Sequence, residues 1–192
     1  MRIAILIGAA MLVLAGCHKD DRADATQLEK ALTVLQADAG AAASLENEML
    51  NRARPWCAGM TAAGTGHDAD LATNTATAAD LARLAQTAND RWEAIHKALV
   101  AERLRAEYPR NLRSNVTAQI AKHQAALQEL RAALDDTATQ FKSLAQNRDY
   151  TGDTVPPVVT KLDHILGQYE PPTDDISAAL SEIRAKYGEQ TP

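Results

Sequence analysis

The sequence predicts an all-α protein, an elongated bundle of three long antiparallel helices followed by two short C-terminal helices. Of the 192 residues, 39 are alanine, which has the highest helix propensity of all residues. Aromatic residues make up only 4% of the chain, whereas strands favour aromatic and β-branched residues. The net charge is −5, which disfavours a nucleic-acid partner because such binding needs a basic surface.

The N-terminus has the features of a bacterial secretion signal. Arg2 is followed by an apolar run over residues 3–14, which has the length of a signal-peptide core but is shorter than the ~20 residues of a membrane span. The run ends in Leu14-Ala15-Gly16-Cys17, which resembles the lipobox of bacterial lipoproteins at all four positions. The resemblance implies cleavage before Cys17 and lipidation of that residue, and several acyl chains anchor a protein stably in a membrane.

The same resemblance implies the organisation and the location of the chain. Residues 1–16 are a signal peptide that is removed, residues 17–24 are the lipidated cysteine and a polar tether, and residues 25–192 form a single helical-bundle domain. His18 stands where an aspartate would imply retention in the inner membrane, so the implied location is the periplasmic face of the outer membrane. Residues 25–192 contain no motif that indicates a particular family.

The first two helical segments follow the tether. Segment one runs from about 25 to 53 and starts at a capping box formed by Thr26 and Glu29. Its apolar seam is interrupted only by Glu46, and Gly40 in its middle is either a flexible spot or a point of close helix approach. Residues 55–76 are rich in Gly, Thr and Ala and separate the first two segments. This stretch is long for a loop in a compact domain, so it is expected either to contain a helical turn or to have a functional role. Segment two runs from about 78 to 107, with Thr77 and Asp80 at its start.

The remaining segments lie between prolines, which are unfavourable in helix interiors. Segment three, from about 111 to 147, has apolar residues every 3.5 positions, and its seam includes His123. We interpret His123 as a core polar residue that fixes register or bonds a neighbouring helix. Segment four, about 156–168, starts at Pro156 and Pro157, and segment five, about 174–187, starts at a Thr173 cap.

Motifs for catalysis and cofactor binding are missing from the sequence. A lone Glu93-x-x-His96 does not make a di-iron site, which needs two such motifs and two further glutamates. His123 and Met49 are expected roughly 15 Å apart along the bundle, too far to share a haem iron. The sequence has no nucleophile elbow, no phosphate loop and no zinc-protease motif. We therefore predict no enzymatic activity, no metal and no cofactor.

The candidate binding residues lie at the two predicted ends of the bundle. A basic cluster surrounds Tyr108, and it is either a solvated hairpin tip or a surface near the membrane. The second interpretation follows because segment one leads away from the lipid and segment two returns, which would bring the cluster to anionic headgroups. This cluster consists of Arg103, Arg105, Arg110 and Arg113. The opposite end is predicted to contain the candidate partner-binding residues Trp56, Cys57 and Tyr150. Cys57 is either a small buried residue or an exposed thiol.

These observations predict a lipid-anchored protein-interaction module or adaptor of the cell envelope. The alternative is an inhibitor or immunity protein against an envelope-active toxin or hydrolase, since an acidic protein suits a basic enzyme. The expected partners are the membrane, through the lipid on Cys17, and an envelope protein. A homodimer through the seam of segment three would also satisfy the 3.5-residue repeat, so the oligomeric state stays open.

Overall fold

Five α-helices and no β-strand are present in the part of the chain that the structure, a computed structural model, describes. It describes residues 3–66, 68–147, 149–152, 155–170 and 174–188, and the side chains of residues 3–20, 68 and 69 lie outside this description. The helices are α1 (Ile3–Ala63), α2 (Asp68–Ala101), α3 (Glu107–Leu144), α4 (Pro157–Gln168) and α5 (Asp175–Tyr187). The predicted all-α class is confirmed.

Helix α1 is much longer than segment one. It begins at Ile3, so the backbones of the predicted signal peptide and tether continue into the same helix, and it ends at Ala63. The predicted cap at Thr26 is wrong, because Thr26 lies inside α1 and its hydroxyl donates to the carbonyl of Arg22 at 2.9 Å. This bond, to the carbonyl four residues back, is one that a threonine makes within a helix rather than at its start.

Most of the predicted loop over residues 55–76 is helical, which confirms the alternative of helical structure within it, because α1 ends at Ala63 and α2 begins at Asp68. Pro55 lies inside α1 although proline has no N–H to donate to the carbonyl four residues earlier. The helix continues because its last turns are packed: Cys57 is fully buried and Met60 is only 4% exposed. Helix α2 then begins at Asp68, so Thr77 lies within it and donates to the carbonyl of Thr73 at 2.9 Å.

The later helices agree more closely with the predicted segments. Helix α4 begins at Pro157 with Pro156 as its N-cap residue, at the predicted place. Helix α5 is capped one residue later than predicted, by Asp174, whose Oδ1 accepts a hydrogen bond from the Ser177 N–H at 3.0 Å. Thr173 lies outside the described residues. Seven of the nine predicted seam residues of segment three are confirmed on the buried face of α3, each at most 4% exposed: Val116, Ile120, Leu127, Leu130, Leu134, Thr137 and Phe141. The other two, His123 and Leu144, are partly exposed.

Packing divides the chain into two compact units. Unit 1 comprises residues 1–39, 94–121 and 173–192, and unit 2 comprises residues 40–93 and 122–172. Buried leucine and isoleucine side chains form the core of unit 1, among them Leu28, Leu32, Leu99, Ile120 and Ile183. The core of unit 2 contains the single phenylalanine with more leucines, among them Phe141, Leu81, Leu127, Leu134 and Leu162.

A Cβ atom built on Gly40 would meet no atom within 4 Å, so close helix approach at Gly40 is wrong. Within the described ranges, none of the helices has both the length and the apolar character needed to cross a membrane.

Candidate functional site

A carboxylate is buried in unit 2 at the position where the seam of segment one is polar. Glu46 is fully buried in α1. Its Oε1 accepts a hydrogen bond from Nε1 of Trp92 at 2.5 Å, and its Oε2 accepts one from the hydroxyl of Tyr169 at 2.6 Å. Nε2 of His123 lies 3.0 Å from each of the two oxygens. Glu46 therefore connects α1 to α2, to α3 and to the residue that follows α4.

The surroundings of Glu46 explain how a carboxylate can be buried there. An isolated ionised carboxylate in a protein interior loses several kcal/mol of hydration, and hydrogen bonds to it must offset that loss. The rings of Trp92 and Tyr169 pack against His123 with centroid distances of 5.5 and 5.8 Å, and the His123 side chain is 10% exposed. We call these four residues the Glu46 network. Its His123–Glu46 bond confirms that His123 bonds a neighbouring helix.

Tyr169 acts as a hydrogen-bond donor in this network over a wide pH range. Burial raises the pKa of its hydroxyl well above the ordinary value, and the neighbouring Glu46 carboxylate raises that pKa further. A second residue of α1, Arg54, also holds Tyr169 in place through hydrogen bonds to the backbone. Nη2 of Arg54 donates to the carbonyls of Leu166 at 3.3 Å and of Tyr169 at 2.9 Å, where the end of α4 leaves carbonyls without helical partners.

The chemistry available to the Glu46 network is limited by its burial. A substrate could reach the fully buried carboxylate of Glu46 only if the helices around it separated. Among the described side chains, no group of three or more His, Cys, Asp or Glu residues is arranged to hold a metal ion. The network therefore joins helices within unit 2, and its residues are positioned for structural hydrogen bonding.

A second polar cluster joins the connection after α1 to the connection after α3, and we call it the connection network. Nε1 of Trp56 donates to Oδ1 of Asn74 at 2.9 Å, and Nδ2 of Asn74 donates to the carbonyl of Thr65 at 3.0 Å. The Thr65 hydroxyl is hydrogen-bonded to the Tyr150 hydroxyl, and the Thr65 N–H donates to the Gly152 carbonyl at 3.0 Å. The structure thus links the predicted partner residues Trp56 and Tyr150, which are both half-buried.

Two glycines allow these connections to approach each other closely. Gly66 and Gly152 have φ angles of +77° and +83°, a conformation that favours glycine. A Cβ on Gly152 would lie 2.2 Å from the carbonyl oxygen of Gly66. Both the backbone angle and the available space therefore require glycine at position 152.

The third predicted partner residue does not reach the surface. Cys57 is fully buried, and its thiol donates to the carbonyl of Val159 at 3.6 Å. Burial raises the pKa of this thiol to about 12, and the Asp163 carboxylate contributes to the increase. Of the two interpretations of Cys57, the small buried residue is confirmed and the exposed thiol is wrong. The other cysteine, Cys17, has its side chain outside the described part of the structure.

The four arginines of the predicted basic cluster all belong to unit 1. Arg103, Arg105 and Arg110 are exposed. Arg113 is half-buried, and its guanidinium donates to the carbonyl of Glu102, just beyond the end of α2. Among the residues that the structure describes, Arg113 is therefore the only one of the four whose guanidinium is hydrogen-bonded within the fold.

Unit 1 also has an open groove along α1 that the sequence did not indicate. Its volume is about 530 Å³, and its lining includes Ala31, Ala98 and the 73%-exposed Val34. Gln27 and Glu102 are joined across this groove by a hydrogen bond of 2.6 Å. Small-molecule sites usually combine an enclosed apolar cavity with several convergent polar groups, and this shallow groove does not have that arrangement.

Comparison of the chain with protein-family models, with curated proteins and with solved structures gives no match.

Proposed function

We propose that this protein is a lipid-anchored helical protein of the bacterial envelope, located in the periplasm at the outer membrane, that functions by binding another protein. The observation that supports the anchor is the sequence Leu14-Ala15-Gly16-Cys17 at the end of a short apolar run. In this proposal α1, α2 and α3 are the antiparallel long helices of an elongated bundle, and the binding residues are Trp56 in α1 and Tyr150 in the connection after α3.

The charge distribution supports unit 2 as the binding unit and a basic protein as its partner. By sequence, unit 2 has nine Lys and Arg and fourteen Asp and Glu, a net charge of −5. Unit 1, counted from Cys17 onward, has ten Lys and Arg and eleven Asp and Glu, a net charge of −1. Complementary charge increases the rate of association and helps to select the partner.

The connection network also supports unit 2 as the binding unit, because its residues belong to unit 2. Trp56 and Tyr150 are half-buried, so each has part of its ring at the surface while its polar atom is held by hydrogen bonds. Trp and Tyr are frequent among the residues that dominate binding energy at protein interfaces. Side chains held in this way lose little conformational freedom when a partner binds.

A second candidate function is inhibition of, or immunity to, an envelope-active toxin or hydrolase. The acidic surplus of unit 2 supports this candidate because it suits a basic enzyme. The two candidates differ in whether the lipid is needed: an adaptor must be held at the membrane, whereas an inhibitor blocks its enzyme when free.

The test is affinity capture from solubilised envelopes with the lipidated protein and with a Cys17→Ala variant. The mass of the mature N-terminal peptide tests the anchor directly, and an N-terminus other than acylated Cys17 would overturn it. A stoichiometric basic partner that is lost with Cys17→Ala supports the adaptor. A hydrolase that stays bound to this variant and is inhibited by it supports the second candidate, and no partner in either arm rejects both.

Charge variants test the assignment to unit 2. Asp149→Asn with Glu170→Gln removes two exposed negative charges from unit 2, and we expect weaker capture with a smaller salt dependence. Asp38→Asn with Glu107→Gln makes the same change in net charge in unit 1 and should leave capture unchanged. Equal effects of the two pairs would contradict a binding surface on unit 2.

A further inference from the structure

Three segments of unit 1 are held together near the start of the mature chain. The carboxylate of Asp24 in α1 accepts hydrogen bonds from the N–H groups of Arg105 and Ala106 at 2.5 and 2.6 Å. These two residues lie just before α3, where helix N–H groups lack intrahelical partners. Asp24 therefore fixes the connection between α2 and α3 against the beginning of α1.

The end of α5 joins the same part of unit 1. The hydroxyl of Tyr108 donates to Oε1 of Glu182 at 2.6 Å, and Nζ of Lys186 lies 3.2 Å from the centroid of the Tyr108 ring. The rings of Tyr108 and Tyr187 are 5.9 Å apart, and a guanidinium nitrogen of Arg22 donates to the Tyr187 carbonyl at 3.4 Å. Contacts thus connect α1, the start of α3 and the end of α5.

In this part of unit 1 the acidic side chains form hydrogen bonds within the fold, whereas three of the arginine side chains are exposed. Acceptor oxygens of Asp24, Glu102 and Glu182 are hydrogen-bonded to backbone amides, to Gln27 and to Tyr108. The guanidinium groups of Arg103, Arg105 and Arg110, by contrast, are exposed and form no ion pair with any described side chain. Their positive charges are available to an external anion.

We propose that Arg103, Arg105 and Arg110 bind the headgroups of anionic phospholipids, and we call this surface the arginine face. The proposal rests on the proposed lipid anchor, because Cys17 precedes Asp24 by seven residues, roughly 10 Å along a helix. A membrane that holds the lipid of Cys17 is therefore within reach of the connection that Asp24 fixes. Half-buried Tyr108 adds an aromatic side chain of the kind enriched at membrane interfaces.

The expected strength follows from the number of arginines. Each basic residue near an anionic membrane surface increases binding about fivefold, so three arginines together contribute roughly a hundredfold. Arg113 is excluded from the arginine face because its guanidinium donates to the Glu102 carbonyl. Binding of this kind decreases as the salt concentration rises, since the charges are exposed.

The test uses the mature chain, residues 17–192, with Cys17→Ala, so that neither the lipid nor the apolar residues 3–14 contribute. It is mixed with phosphatidylcholine vesicles that contain or lack phosphatidylglycerol. Partition is measured by flotation at low ionic strength and high lipid concentration. We expect a preference for the anionic vesicles that salt abolishes. The variant with Gln at positions 103, 105 and 110 (Arg103→Gln, Arg105→Gln, Arg110→Gln) should partition equally into both kinds of vesicle.

A matched control removes three exposed positive charges from unit 2 by Lys122→Gln, Lys142→Gln and Lys161→Gln, and it should keep the preference. Circular dichroism confirms that each variant is folded. No preference in the parent, or a preference that survives the triple Arg→Gln change, would overturn the arginine face. Lipidation is read separately from the N-terminal peptide mass, so failure of the anchor and failure of the arginine face are distinguishable.

Discussion

The hydroxyl of Tyr169 is a single atom whose contribution to stability can be estimated from its surroundings. Tyr169 is 4% exposed, and its hydroxyl donates to the buried carboxylate of Glu46 at 2.6 Å. Hydrogen bonds to charged groups contribute about 1.5–3 kcal/mol each. We therefore expect Tyr169→Phe to lower the free energy of unfolding by about 2 kcal/mol, which corresponds to a decrease in Tm of about 4–8 °C for a chain of this size.

The assay is urea unfolding followed by circular dichroism, combined with a double-mutant cycle. In a Glu46→Gln background the acceptor is neutral, so the effect of Tyr169→Phe should fall to about 1 kcal/mol or less. Tyr187→Phe makes the same chemical change where the hydroxyl has no hydrogen-bond partner among the described residues, and it should change stability by less than ~0.5 kcal/mol. If the changes in unfolding free energy caused by Tyr169→Phe and Glu46→Gln were strictly additive, the charge-assisted hydrogen bond between the two residues would be refuted.

Three further predictions follow from the glycines and the buried thiol. Gly152→Ala should destabilise the protein by more than ~1 kcal/mol, because Gly152 has a positive φ and lies against Gly66 in the connection after α1. Gly40→Ala, in open space on α1, should stabilise the protein by about 0.5–1 kcal/mol, and urea midpoints compare the two variants. Cys57 should react with a thiol reagent only after unfolding, as measured by labelling with and without denaturant, and rapid native labelling would contradict its burial. The pKa of Cys57 is raised to about 12 in the folded protein, so the folded protein keeps a proton that the unfolded chain loses above about pH 8.5. The free energy of unfolding should therefore fall by up to ~1.4 kcal/mol per pH unit between about pH 8.5 and 10. Cys57→Ala should flatten that decline, and the Tyr169 hydroxyl should add a second decline only above about pH 10.

The sequence predicted the helical class and the buried face of α3 because both depend on regular periodicity. It misplaced the end of α1 because proline was taken as a helix terminator, while the packing of Cys57 and Met60 keeps α1 helical beyond Pro55. The helix N-caps predicted at Thr26 and Thr77 were wrong for a related reason. Each threonine hydroxyl donates to the carbonyl four residues earlier inside a helix, and the local sequence does not distinguish such a threonine from an N-cap.

The sites were predicted only in part. Glu46 and His123 were visible as polar residues within apolar seams, but periodicity alone does not say which helices they join. Tyr169 follows the last residue of α4, and Arg54 bonds backbone carbonyls that lie more than a hundred residues away in sequence. Such contacts depend on tertiary packing, so no local pattern in the sequence indicates them.

Both tryptophans of the chain, Trp56 and Trp92, belong to unit 2, and unit 1 contains none. Intrinsic tryptophan fluorescence therefore reports on unit 2 alone, while far-ultraviolet dichroism reports on helices of both units. Coincident fluorescence and dichroism transitions would mean that the two units unfold as one cooperative system. A dichroism transition that precedes or follows the fluorescence change would give the stability of unit 1 separately, without any added label.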